Sequence, residues 1–177
     1  MNAARIAILG IVVTALTAGI LLYYLQIFAY YTDVNAEQAG GVDLVNLSTG
    51  APEPLVFDAF QGIDSDSSPI RYRACFTTPL SQAMLTETYV MYAGAEPLVA
   101  PPWFDCFDAE ALGAALQTGE ALAFLSAENI TYGVDRVVAI LPDGRGFAWH
   151  QINDCGAVVF SGEPAPDGCP PVPEGLR

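Results

Sequence analysis

The sequence contains no lysine. Its six basic residues are all arginine, and one histidine stands among 177 residues. Without lysine there is no P-loop lysine, no Schiff base and no protein-kinase lysine. Twenty acidic residues bring the net charge to −14, which excludes a basic nucleic-acid binder, since a phosphate backbone repels such a surface. Charged residues are scarce at 15%, and 53% of the chain is hydrophobic, so a disordered chain is excluded too. There is no CxxC pair, no GxSxG elbow and no Cys/His set with zinc spacing.

The longest run without charge lies between Arg5 and Asp33: IAILGIVVTALTAGILLYYLQIFAYYT. As a helix, Ile6 to Tyr31 measures roughly 39 Å at about 1.5 Å per residue, longer than a ~30 Å hydrocarbon core. The rival reading is a cleavable signal peptide, with Val34 and Ala36 as the small residues before a cleavage point. Secretory apolar regions run about 7–15 residues. This one is much longer, and it ends in Tyr23, Tyr24, Phe28, Tyr30 and Tyr31, which suit a headgroup belt. The expectation is a retained transmembrane helix over residues 6–31, preceded by a short cytoplasmic N-terminus of residues 1–5. Arg5 before the helix, with Asp33 and Glu37 after it, points the C-terminal part outward. Gly10, Thr14, Thr17 and Ala18 form no clean GxxxG and read as small residues tolerated in lipid.

Residues 32–41 read as a linker and residues 42–177 as one acidic domain. From Asp33 onward the chain holds all 20 acids and five arginines, a net charge of −15. The expected class is α+β: an antiparallel sheet with a helical insertion. Val42 to Leu47 and Leu55 to Phe60 read as neighbouring strands joined by STGAPEP. In IRYRACF, Ile70, Tyr72, Ala74 and Phe76 share one face, and Arg71, Arg73 and Cys75 the other. SQAMLTETYVMY reads as a helix turning into a strand. Asp108 caps the clearest helix, with Leu112, Ala115 and Leu116 at helical spacing. Gly119 interrupts it, and Glu120 to Glu128 is expected to continue as a second short helix. VDRVVAIL–PDGR–GFAWHQI reads as a hairpin, with VVAIL covered on both sides. The proline-rich tail should run irregularly over the surface.

Four cysteines in a domain outside the membrane predict two disulfides. The expected pairing is Cys75–Cys106 and Cys155–Cys169, because each bond would join an irregular segment to a regular one. Cys155–Cys169 would pin the tail, and Cys75–Cys106 would hold the helical insertion against the sheet.

Few other residues point to chemistry. His150 lies on a strand facing the same way as Ala148 and Ile152, and no orienting acid or nucleophile is evident; a structural role is favoured. Asp64-Ser65-Asp66-Ser67-Ser68 begins like a calcium loop, but Pro69 and Cys75 stand where glycine and glutamate are needed. It reads as a solvated loop. Arg71 and Arg73 have the spacing to grip an anion through paired forks; the plainer reading is that they neutralise Asp58, Asp64 or Asp66. Trp103, between Pro101-Pro102 and Phe104, reads either as an exposed partner anchor or as a core plug. Asn46 and Asn129 open glycosylation sequons that matter only in a eukaryote. No catalytic, cofactor or metal residue is assigned.

Three stretches, YYLQIFAYY, GIDSDSSPIRYRACF and PPWFDCFDAEALGAALQTGEALAFL, resemble a family of short, uncharacterised, single-pass membrane-anchored proteins of alphaproteobacteria. The resemblance implies that the outer side is the periplasm, and it carries over no catalytic residue. The expected function is a non-enzymatic membrane-anchored interaction protein, an accessory subunit or assembly factor of an inner-membrane complex. Its expected partner is an integral membrane protein or a basic periplasmic protein. The alternative is a periplasmic sensor that binds an anionic ligand through Arg71 and Arg73.

Overall fold

Val137-Val138-Ala139-Ile140 has no polar side chain, so neither face of that segment is suited to water. A computed structural model, which describes residues 2–176, places it in an interior strand of a six-stranded antiparallel sheet, paired on both sides. In chain order, α1 (Ala3–Tyr24) runs into a π-helical turn (Leu25–Ala29) and then β1 (Thr32–Val34). A ribbon of β2 (Asp43–Val45) and β3 (Pro52–Pro54) precedes β4 (Asp58–Asp64) and β5 (Arg73–Thr77). The helical insertion is α2 (Gln82–Thr88) and α3 (Ala109–Thr118). A meander of β6 (Leu122–Thr131), β7 (Val134–Ile140) and β8 (Arg145–Ile152) follows, then α4 (Asp154–Phe160). The sheet order is β1-β4-β5-β8-β7-β6, so the α+β class expected from the sequence is the one observed.

Alternation along the central strands feeds two cores. Val137, Ala139, Phe147, Trp149 and Cys75 pack with Leu112 and Ala115 of α3 and with Phe104 and Phe107. Val138, Ile140, Ala148, Ala74 and Phe76 pack on the other face with Leu85 of α2 and with Val42, Leu44 and Leu55 around the ribbon. The helices are capped as their sequences suggest: the Asp108 carboxylate accepts from Ala111 N, and Gly119 ends α3 in the left-handed region at φ +74°. The hairpin turn also follows its sequence. Gly144 adopts φ +86°, and Asp143 accepts from Arg145 N at 3.0 Å.

Three expectations need correction. Glu120 to Glu128 does not form a helix; it lies mostly within β6, where Ala123 enters one core and Phe124 the other. Pairing with β7 overrides the helix preference of its Leu, Ala and Glu residues. Leu55 to Phe60 is not the partner of the first strand either. Pro52–Pro54 pairs with Asp43–Val45 instead, and Asp58 already belongs to the main sheet. Finally, residues 32–41 are not a plain linker, because β1 pairs with β4 through Thr32↔Asp64, Asp33↔Ile63 and Val34↔Gly62.

The apolar helical stretch Ala3–Ala29 is long and apolar enough to cross a membrane, and no residue of α1 within it is buried by the rest of the protein. The two disulfides are Cys75–Cys106 and Cys155–Cys169, and they suit an oxidising compartment. The first ties β5 to the segment entering α3. The second ties α4 to the proline-rich tail, which outside a short turn at Glu174–Leu176 is irregular.

Candidate functional site

The junction between the apolar helix and the domain gathers three of the residues singled out in the sequence. Trp103 is half-buried there, and its indole Nε1–H donates to the Ile27 carbonyl at 2.7 Å. Its ring stacks on Phe28 and meets Tyr31 edge-on, with centroids 6.3 and 6.0 Å apart. The carbonyl is free to accept because Ile27 lies in the last, π-helical turn of the helical stretch, where carbonyls have no partner further along the helix. Trp103 therefore serves neither as a free anchor nor as a core plug alone. It clamps the helix end.

Arg71 sits beside that clamp. Its guanidinium lies 5.9 Å from the Tyr30 ring centroid and 5.4 Å from that of Tyr31, and Nη2 donates to Gln26 Oε1 at 3.2 Å. Arg73 is turned into the domain and is only 3% exposed. Its Nε donates to the Leu98 carbonyl at 2.7 Å, Nη1 to the Ile70 and Tyr72 carbonyls, and Nη2 to the Val99 carbonyl. Burial lowers its pKa to about 10, against the opposing influence of Tyr31 and Asp64. Arg73 is thus taken up by the protein's own carbonyls and does not form a paired fork with Arg71, whose Nη1 is buried without a hydrogen-bond partner among the described residues. Nor do the two arginines form ion pairs with Asp58, Asp64 or Asp66. Among the described residues the one ion pair joins Arg145 to Asp143 on the surface, at 2.7 Å.

His150 occupies a second cluster. Its ring stacks on Tyr72 at 4.6 Å, and the Arg136 guanidinium lies 4.5 Å above the same tyrosine ring. Nδ1 donates to the Pro69 carbonyl at 2.7 Å, and Nε2 accepts from Arg136 Nε at 3.0 Å. Burial, followed by the charge of Arg136, pushes the imidazole pKa down to about 3. Both ring nitrogens are engaged with protein groups, so the ring as held here has no nitrogen facing a substrate. Pro69 belongs to the acidic loop that begins like a calcium site, and that loop is held by its own hydroxyls and carboxylate.

A third polar cluster gave no signal in the sequence. Buried Asp135 accepts from Asn153 Nδ2 at 2.7 Å, Asn129 N at 2.9 Å and the Tyr92 hydroxyl at 3.1 Å. Asn153 also caps α4 through Gly156 N. Burial and the neighbouring carboxylate raise the Tyr92 pKa, keeping its phenol a donor. This network seals the β6–β7 turn against α4, where Gly133 and Gly156 are in backbone contact. Asn129 adopts φ 46°, a left-handed conformation that asparagine tolerates. Among the described residues, no group of three or more His, Cys, Asp or Glu is arranged to hold a metal ion.

Residues 42–170 match the model of DUF6446, a family of unknown function. The chain belongs to that family. No curated protein and no solved structure matches it. The DUF6446 segment begins after β1 and ends just past Cys169, so it includes both disulfides, Arg71, Arg73, Trp103 and His150. The apolar helix and β1 lie outside the DUF6446 match, but Trp103 within it bonds to the helix end and β4 within it pairs with β1.

A groove of about 700 Å³ opens on the β1 side of the junction, with Asp33, Gln38, Gln61, Trp103 and Asp105 in its lining. Two carboxylates beside an aromatic wall favour a cationic or amide-bearing segment over an anion.

Proposed function

We propose that this protein is a membrane-anchored interaction protein of the periplasm, without catalytic activity, serving as an accessory subunit or assembly factor of an inner-membrane complex. Its N-terminus lies in the cytoplasm and its acidic domain in the periplasm. The alphaproteobacterial resemblance, the lone Arg5 before the helix and the paired cysteines all support this placement.

The observation that carries the reading is the bond from Trp103 to Ile27, together with the entry of β1 directly into the sheet. A domain held at two points at the helix end has a fixed height and orientation above the bilayer. That suits presenting a surface to a neighbouring membrane protein, and the acidic groove beside Trp103 is the surface best placed to receive a basic segment.

Affinity-tagged protein, purified from its own membranes in mild detergent, should bring down a specific integral membrane protein. Recovery should fall as salt rises, because exposed charge attraction is screened over about 10 Å at 0.1 M. Recovery of the protein alone under low salt would refute the reading. A cytoplasm-only reporter fused after Arg177 should be silent, and an active fusion would reverse the orientation.

A further inference from the structure

The segment Pro97–Phe104, PLVAPPWF, carries no charge although Glu96 and Asp105 flank it in a domain of net charge −15. Val99 at its tip is 81% exposed, more than any other exposed large hydrophobic residue described. The loop is not slack. The buried Arg73 holds the Leu98 and Val99 carbonyls, Trp103 is bonded to Ile27, and Cys106 is tied to Cys75. Burying a guanidinium is costly, and here its donors hold the backbone of the loop's own tip while the Val99 side chain projects away uncovered.

We infer that this loop is a second membrane contact, with Leu98 and Val99 inserted among the lipid headgroups and upper acyl chains of the leaflet from which the helix emerges. The inference rests on the membrane-anchor reading proposed above. Height is the argument for lipid as the occupant. The 27 residues of Ala3–Ala29 span about 40 Å, against a hydrocarbon core of ~30 Å. The last turns therefore lie in the headgroup layer, as Tyr23, Tyr24 and Phe28 also indicate. Trp103 is bonded to Ile27, inside that stretch and not beyond it, which brings its loop to the same level. Prolines 97, 101 and 102 limit how far the loop can fold away.

The test uses the full chain in lipid nanodiscs with a benzophenone amino acid in place of Val99, Val56 or Ile11. Val56 is 61% exposed, but it lies at the opposite end of the sheet, where its carbonyl accepts from Thr78. Ile11 lies within the apolar helix. On irradiation, Val99 and Ile11 should yield lipid adducts and Val56 none. Labelling at Ile11 without labelling at Val99, or an adduct from Val99 to protein, overturns the inference and leaves the anchor intact. No lipid adduct at Ile11 overturns the anchor and the inference with it. As a second measurement, Val99→Trp should add fluorescence that lipids brominated near the headgroup quench, while Val56→Trp should add fluorescence that they do not. Equal quenching of the two variants refutes the inference.

Discussion

Arg136 donates its Nε–H to Nε2 of His150 at 3.0 Å, so a permanent cation holds an imidazole in its neutral form. The other ring nitrogen donates to the Pro69 carbonyl, which fixes the tautomer. A proton arriving at Nε2 would break the first bond and place two like charges together in a buried site.

His150 should therefore stay neutral through the range in which histidine ordinarily titrates. Its pKa falls from 6.5 to about 3 on folding. The unfolded chain takes up this proton first, so the contribution of His150 is complete above pH 6.5. It is lost as pH falls from 6.5 toward 3, at about 1.4 kcal/mol per pH unit. Asp64 works in the opposite direction, since burial raises its pKa. Because His150 is the sole histidine, its ring proton resonances are unambiguous in a pH titration. They should not move between pH 8 and pH 5, and a midpoint near 6 would refute the buried assignment.

Trp103→Ala removes one hydrogen bond, worth about 1 kcal/mol, and ring contacts worth about 0.5–1.5 kcal/mol each. The loss should appear as loosening at the helix end, because both cores remain. Limited proteolysis of the full chain in detergent should cut near Tyr30–Thr32 at least tenfold faster than in the wild type. Trp103→Phe should fall between the two. Equal cleavage rates in all three proteins would mean that the clamp contributes nothing.

The two disulfides should differ in what their loss costs. Replacing both Cys155 and Cys169 by alanine opens a loop with a sequence separation of 14, about 3 kcal/mol in the chain-entropy view. Replacing both Cys75 and Cys106 opens a separation of 31, nearer 4 kcal/mol on the same scale. It also removes Cys75 from the core beside Val137 and Trp149. Thermal unfolding should rank the Cys75/Cys106 variant lower. The opposite ranking would contradict the packing described for Cys75.

Gly156→Ala tests the seal between α4 and the β6–β7 turn. A Cβ at this position would fall on the Gly133 carbonyl, backbone that cannot swing aside as a side chain would. The expected cost is about 2 kcal/mol or more, a drop of several degrees in melting temperature for a domain of this size. Gly113→Ala is the control, because its nearest neighbour is a proline side-chain carbon at an ordinary 3.8 Å. Similar melting temperatures for the two variants would show that the backbone contact yields freely.

Local signals were legible in the sequence where they were self-contained. Asp108 and Gly119 frame α3 by their own chemistry, and Pro142-Asp143-Gly144 turns the hairpin. The cysteine pairing followed from which segments lacked other support. By contrast, Thr32-Asp33-Val34 has no pattern of its own and becomes a strand only because β4 offers an edge. Leu122 to Glu128 consists mainly of good helix formers, and only the pairing partner reveals a strand. The junction was half legible. Trp103, Arg71 and Arg73 stood out by type, but the Ile27, Leu98 and Val99 carbonyls they hold have no signature in a sequence. Asp135 was hidden for a similar reason, since its partners Tyr92, Asn129 and Asn153 come from three separate segments.

The sheet order carries a consequence for biosynthesis. β6, β7 and β8 are consecutive and adjacent, so residues 122–152 can assemble as soon as they are made. β5 docks on β8, β4 on β5 and β1 on β4. β1, β4 and β5 can pair among themselves once Thr77 has emerged, but the other edge of β5 has to wait for β8. Until then α1 carries a half-sheet with that edge unpaired. A cell that stalls or truncates this polypeptide before Ile152 would be left with an apolar helix bearing exposed strands, a form that invites capture by chaperones and proteases.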